Sequence, residues 1–165
     1  MSKEQLGRAQ AAVTIAITSD NPPTFDMSST DIPIQKTSSN DPVLIFNNGQ
    51  NGNPGDGFDV TFTIDDQTKK GYGFFQDQRN PKPNDAISVK VIDSSGHCPG
   101  KGAKWPGFDP TGVSSDRQNL TVTNDNKHLQ YFGFALHFSL AGEANPSLDY
   151  DPIGNNQDGL DFVIY

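Results

Sequence analysis

LQYFGFALHFSL, residues 129–140, is the stretch on which the fold turns. Laid out as an extended chain, it puts Phe132, Phe134, Leu136, Phe138 and Leu140 on one side, and Tyr131, Gly133, Ala135, His137 and Ser139 on the other. Successive side chains of a strand point to opposite faces, so this alternation lines the large apolar groups up in a single row. A helix would scatter the same residues over opposite sides of its cylinder. The stretch therefore predicts a long strand with an aromatic face turned to a core.

The same period recurs outward from there. In FDVTFTID, residues 58–65, Phe58, Val60, Phe62 and Ile64 oppose Asp59, Thr61, Thr63 and Asp65. Val13, Ile15 and Ile17 alternate with Thr14, Ala16 and Thr18. AISVKVID turns Ile87, Val89 and Val91 inward, with Ser88 and Lys90 outward, and NLTVTND buries Leu120 and Val122. The closing LDFVIY aligns Leu160, Phe162 and Ile164. Shorter strands are predicted at Ile32–Gln35, Val43–Phe46 and Tyr72–Phe75.

Turn chemistry separates these runs. Asn47–Gly57 carries Asn-Gly and Asp-Gly pairs, which tolerate positive φ, while DSSGHCPGKG and WPGFDPTG read as Gly/Pro loops. Ser28–Pro42 is polar and reads as a surface loop around a short edge strand. Only Ser2–Ala12 has helix-forming composition. The expectation is an all-β protein: a single antiparallel, immunoglobulin-like β-sandwich in Greek-key style with about eight or nine strands. It spans residues 11–165 behind a flexible N-terminal arm, residues 1–10, with Ala11–Ser19 as an early strand and Leu160–Tyr165 as the last.

Bulk composition narrows the function. A chain of 165 residues suits one domain. Its 12 Lys and Arg against 20 Asp and Glu leave a net charge of -8, which repels phosphate backbones and argues against nucleic acid as a partner. No apolar run reaches membrane-spanning length. The lone Cys98 has no cysteine to pair with inside the chain, and the opening MSKEQLGRAQAAVTIAITSD alternates like a strand rather than a secretory signal. A cytoplasmic address is expected.

Several clusters bear on chemistry. Asp149, Asp151, Asn155, Asn156, Asp158 and Asp161 offer hard oxygen ligands, which makes calcium the candidate cofactor; no other cofactor is expected. The match to an EF-hand loop fails, because Gly154 stands where the first Asp belongs and Tyr165 where the bidentate Glu belongs. The favoured expectation is that Asp-Pro and Asp-Gly build two turns there. A second acidic group, Asp56, Asp59, Asp65 and Asp66, reads as solubilising. His97 and Cys98 are adjacent, so their side chains diverge and form no nucleophile–base pair. His128 and His137 lack zinc-site spacing, and no G-x-S-x-G elbow is present. Trp105 and Phe108, with Tyr72, are the candidate ligand-binding aromatics, suited to stacking on a sugar; the plainer expectation has Trp105 capping one end of the sandwich.

FGFALHF followed by YDPIGNN resembles the C-terminal half of the small bacterial DP-EP proteins, in which an aromatic strand precedes an Asp-Pro-x-hydrophobic-x-Asn segment. Asp151 and Pro152 match the dipeptide, and Asn155 or Asn156 the Asn that follows. The insert GHCPGKGAKWPGFDPTG departs from that pattern. The resemblance implies a small β-sandwich and carries no activity with it.

The leading functional expectation is a non-catalytic binding or self-associating module, meeting a second copy or another protein at an exposed sheet edge. The alternative is a calcium-supported carbohydrate-binding domain using Asp149–Asp161 and Trp105. A hydrolase ranks third.

Overall fold

The computed structural model describes residues 8–47, 57–93, 96–126 and 130–157. Twelve strands are found among them: β1 (Ala9–Asp20), β2 (Pro23–Ser28), β3 (Ile34–Lys36), β4 (Pro42–Phe46), β5 (Phe58–Asp66), β6 (Gly73–Phe74), β7 (Ile87–Val91), β8 (Phe108–Val113), β9 (Asn119–Asn124), β10 (Gln130–Ser139), β11 (Leu148–Tyr150) and β12 (Ile153–Asn156). They form two sheets packed as a sandwich. The smaller sheet has the order β2-β1-β5-β9-β8. In the larger, β10 is central. Phe132 pairs with both Val91 and Gly154, so β7 and β12 flank β10 on opposite edges. Beyond β12 come β4 and then β3.

Eight phenylalanines fill the space between the sheets. Phe58, Phe62 and Phe108 enter from the smaller sheet, and Phe46, Phe74, Phe132, Phe134 and Phe138 from the larger; each is 0% exposed. Their rings meet across the interface: Phe46 and Phe58 at 5.2 Å, Phe62 and Phe134 at 5.7 Å, Phe108 and Phe132 at 4.7 Å between centroids. Burying one such side chain contributes about 2–3 kcal/mol, so this cluster dominates the driving force.

Several expectations need correcting. Two strand pairs, β1 with β5 and β4 with β12, are parallel, not antiparallel. The reason for the first is the path of the chain: after the β1–β2 hairpin it crosses to the other sheet for β3 and β4, then returns as β5 running the way β1 ran. β2 and β8 were not expected as strands. β8 runs through FDPTGV and absorbs Pro110 and Gly112 at a break in register. Ala9 and Gln10, assigned to the arm, pair with Phe58 and Asp59. Asp151-Pro152 is no reversal of the chain. It interrupts one extended run, for Leu136 faces Tyr150, the Phe134 N–H reaches the Pro152 carbonyl at 3.0 Å, and Gly133 faces Ile153. The segments Leu160–Tyr165 and Asn48–Asp56 lie outside the described residues.

β10 is buried on both faces, from Phe132 to Ser139. The stretch 96–103, between β7 and β8, folds back over the outer side of the larger sheet. Its Ala103 carbonyl accepts the Val89 N–H at 3.0 Å. At Gly133 a Cβ would lie 1.7 Å from the His97 carbonyl oxygen, so only glycine admits the covering backbone here. That cover is the second layer that sets up the site.

Candidate functional site on the outer face of the larger sheet

Sheet register brings three side chains into a row. β7 and β10 pair with Ser88 opposite Ala135, and β10 and β11 pair with His137 opposite Asp149. Residues directly opposite, or two apart on one strand, share a face. Ser88, His137 and Asp149 therefore emerge together on the outer side. Ser88 Oγ lies 2.8 Å from His137 Nε2, and His137 Nδ1 lies 2.5 Å from Asp149 Oδ1. A carboxylate only accepts, so the imidazole proton sits on Nδ1 and Nε2 is free to accept the Ser88 O–H. The Gly102 N–H of the covering stretch also donates to Ser88 Oγ, at 3.3 Å. Ser88 is fully buried and His137 nearly so, while the Asp149 side chain is 58% exposed.

Two cavities adjoin the imidazole. One of about 100 Å³ is lined by Ser88, His137, Gly102, Lys101, Phe75 and Pro146. The other, about 200 Å³, reaches Cys98, Asp149 and Asp151. Burial, and then the neighbouring Asp149, push the Asp151 carboxyl above the usual carboxylate range. Burial followed by the charges of Asp151 and Asp41 raises the Cys98 thiol likewise. Cys98 is exposed but held protonated, the opposite of an activated nucleophile. His97 Nε2 faces Asp41 at 3.9 Å.

Further along the same outer face runs an apolar groove of about 690 Å³, lined by Val43, Ile92, Tyr131 and Ile153 with Thr37, Gln130 and Asn155 among its polar margins. Val43, Ile45 and Ile153 form a cluster separate from the main core, with Ile92 packed against it. Tyr131 is 54% exposed, the one exposed large hydrophobic side chain among the described residues.

The predicted site residues are dispersed. Phe108 belongs to the core and offers no ring to a ligand. Tyr72 is buried, and its hydroxyl donates to Asp20 Oδ2 at 2.9 Å beside the Lys70 ammonium at 2.7 Å. Trp105 is half-buried against the core, its ring 5.1 Å from Phe132 and so close to Gly107 that a Cβ there would meet it at 2.5 Å. Of the proposed calcium ligands, Asp149 is taken by His137, and Asn156 Oδ1 accepts from Asn124 Nδ2 at 2.8 Å inside the protein. Asp151 stands beside Cys98, Asn155 is buried on β12, and Asp158 and Asp161 lie outside the described residues, as does His128. Among the described residues no three His, Cys, Asp or Glu side chains gather for a metal ion. No described helix is long and apolar enough to cross a membrane. In the other acidic group, Asp66 is a turn anchor: it accepts the N–H groups of Thr68, Gly71 and Tyr72.

Ser88 and Asp149 entered no predicted catalytic set. Alternation places Ser88 on the polar face, yet nothing in a period of two says that this face is covered. The available signal was GHCPGKG, a Gly/Pro stretch directly following β7 and able to fold back on it.

The fold is a two-sheet β-sandwich, with a covered polar row and an apolar groove on the outer face of its larger sheet. No family model and no curated protein matches the chain. Among solved structures, it is similar to an inclusion body protein, PixA, of Burkholderia cenocepacia J2315, over 90% of this chain and 92% of that one, with a TM-score of 0.40 and 11% identity.

Proposed function

We propose that this chain is a self-associating binding module that docks a second copy of itself in the groove on the outer face of its larger sheet. The observation that carries the reading is Tyr131, 54% exposed beside an apolar floor. Exposed aromatic side chains next to desolvated pockets are the usual anchors of protein interfaces. A face suits association here better than an edge does. β3 is three residues long, β2 begins at Pro23, β8 contains Pro110 and a register break, and the Val89 N–H of β7 is already bonded. Such edges resist strand addition.

Electrostatics sets the conditions. Copies carrying a net charge of -8 repel one another, so salt should strengthen their association by screening. Sedimentation velocity across protein and salt concentration tests this. The wild-type chain is expected to shift to larger species as both rise, and Tyr131→Asp to stay monomeric with an unchanged melting midpoint. A wild-type chain that remains monomeric at high concentration and high salt removes the proposal.

A further inference from the structure

We propose that Ser88, His137 and Asp149 form a nucleophilic acyl-transfer site that hydrolyses short-chain carboxylic esters once the stretch 96–103 lifts. The inference goes beyond the binding role and does not depend on it. The geometry has the polarity such chemistry requires: the serine hydroxyl on Nε2 at 2.8 Å, the carboxylate on Nδ1 at 2.5 Å, and the imidazole held between them on a central strand. Three strands supply the groups, so their spacing is set by sheet register rather than by a loop. The adjoining cavity, about 100 Å³, is open against Ser88 and His137. It has room for an acetyl-sized acyl group, roughly the space of three waters. Phe75 and Pro146 give it apolar walls, Lys101 a cation, and Asn84 and Asp85 a polar rim.

The chemistry balances without a cofactor. Ser88 Oγ bonds to the ester carbonyl carbon as its proton passes to His137 Nε2. The tetrahedral oxyanion collapses, the C–O bond to the alcohol breaks, and Nε2–H protonates the departing oxygen. Water repeats both steps on the acyl-serine, releasing the carboxylic acid and restoring the serine hydroxyl. Asp149 holds the Nδ1–H tautomer and balances the imidazolium charge in between. The Gly102 N–H, now on the serine oxygen itself, is the donor placed to meet the developing oxyanion, and Lys101 lines the same cavity. Because Ser88 is 0% exposed, substrate reaches it only when the covering stretch moves. Gly96 at φ +106° and Gly102 at φ +83° are positions where that backbone can pivot.

A fluorophosphonate probe on the folded wild-type chain, followed by peptide mass mapping, tests the site. The expected result is a single adduct on Ser88, with labelling slowed at least about 100-fold in His137→Gln and also reduced in the surface variant Asp149→Asn. p-Nitrophenyl acetate hydrolysis should fall in Ser88→Ala, whose small side chain fits the same space. The proposal is overturned if wild-type Ser88 carries no adduct after prolonged exposure, or if the adduct forms equally fast in a folded His137→Gln chain.

Discussion

Replacing Gly133 by alanine tests the two-sided burial of β10. A Cβ there would lie 1.7 Å from the His97 carbonyl oxygen and 2.6 Å from its carbon, against contacts of about 3.5 Å or more that packed atoms tolerate. Both obstacles are backbone, so the stretch 96–103 must move as a unit. Overpacking of this kind costs about 1–3 kcal/mol. Alanine returns about 0.4–1 kcal/mol by restricting the unfolded chain. At the midpoints of those ranges the balance is a loss of about 1.3 kcal/mol, which lowers the melting midpoint of a domain this size by about 3–5 °C. Hydrogen exchange localises the effect. The Val89 amide, bonded to the Ala103 carbonyl at 3.0 Å, should lose protection, while Phe62 in the smaller sheet keeps its own. A Gly133→Ala chain that melts no lower than wild type, with Val89 still protected, would refute the packing of that stretch on β10.

Other outcomes follow from the electrostatics. Burial, and then the Asp20 carboxylate that accepts its hydroxyl, push Tyr72 from 10.0 to about 12. A group raised in the folded state contributes stability that is intact below its unfolded pKa and lost as pH climbs through the folded one. Denaturant midpoints should therefore fall between about pH 10 and 12, and less steeply in Tyr72→Phe than in wild type. Cys98 should alkylate slowly at neutral pH despite its exposure, and Asp151→Asn should speed the reaction by lowering the thiol pKa. With Asp149 committed to His137 and Asn156 to Asn124, millimolar calcium is expected to leave the melting midpoint unchanged. A rise with calcium would contradict this commitment of both side chains.

The sequence made the sandwich legible where one face alternates cleanly. β5 and β9 bury the residues their period predicts, Phe58, Val60, Phe62 and Ile64 on one and Leu120 and Val122 on the other. Strand direction was not legible, because a period of two is the same for parallel and antiparallel neighbours. β8 was hidden by Pro110 and Gly112, which signal a loop unless an edge strand absorbs them at a bulge. The cover on the outer face of β10 was not legible for a different reason. His137 and Ser139 look like solvent-facing polar residues, yet His137 finds Ser88 and Asp149, and Ser139 Oγ accepts from the Arg117 guanidinium at 2.9 Å. Partners from distant strands satisfy these groups, and distance along the chain conceals them. In the closing acidic stretch, Asp149 and Asn156 are engaged in the same way, by a histidine and an asparagine on other strands.

Nitrogen-edited NMR of the neutral His137 imidazole is the most direct probe of the row across β7, β10 and β11. A proton resident on Nδ1, slowly exchanging and lost in Asp149→Asn, is the predicted signal. An Nε2–H tautomer, or a ring proton exchanging at the rate of an exposed histidine, would contradict it.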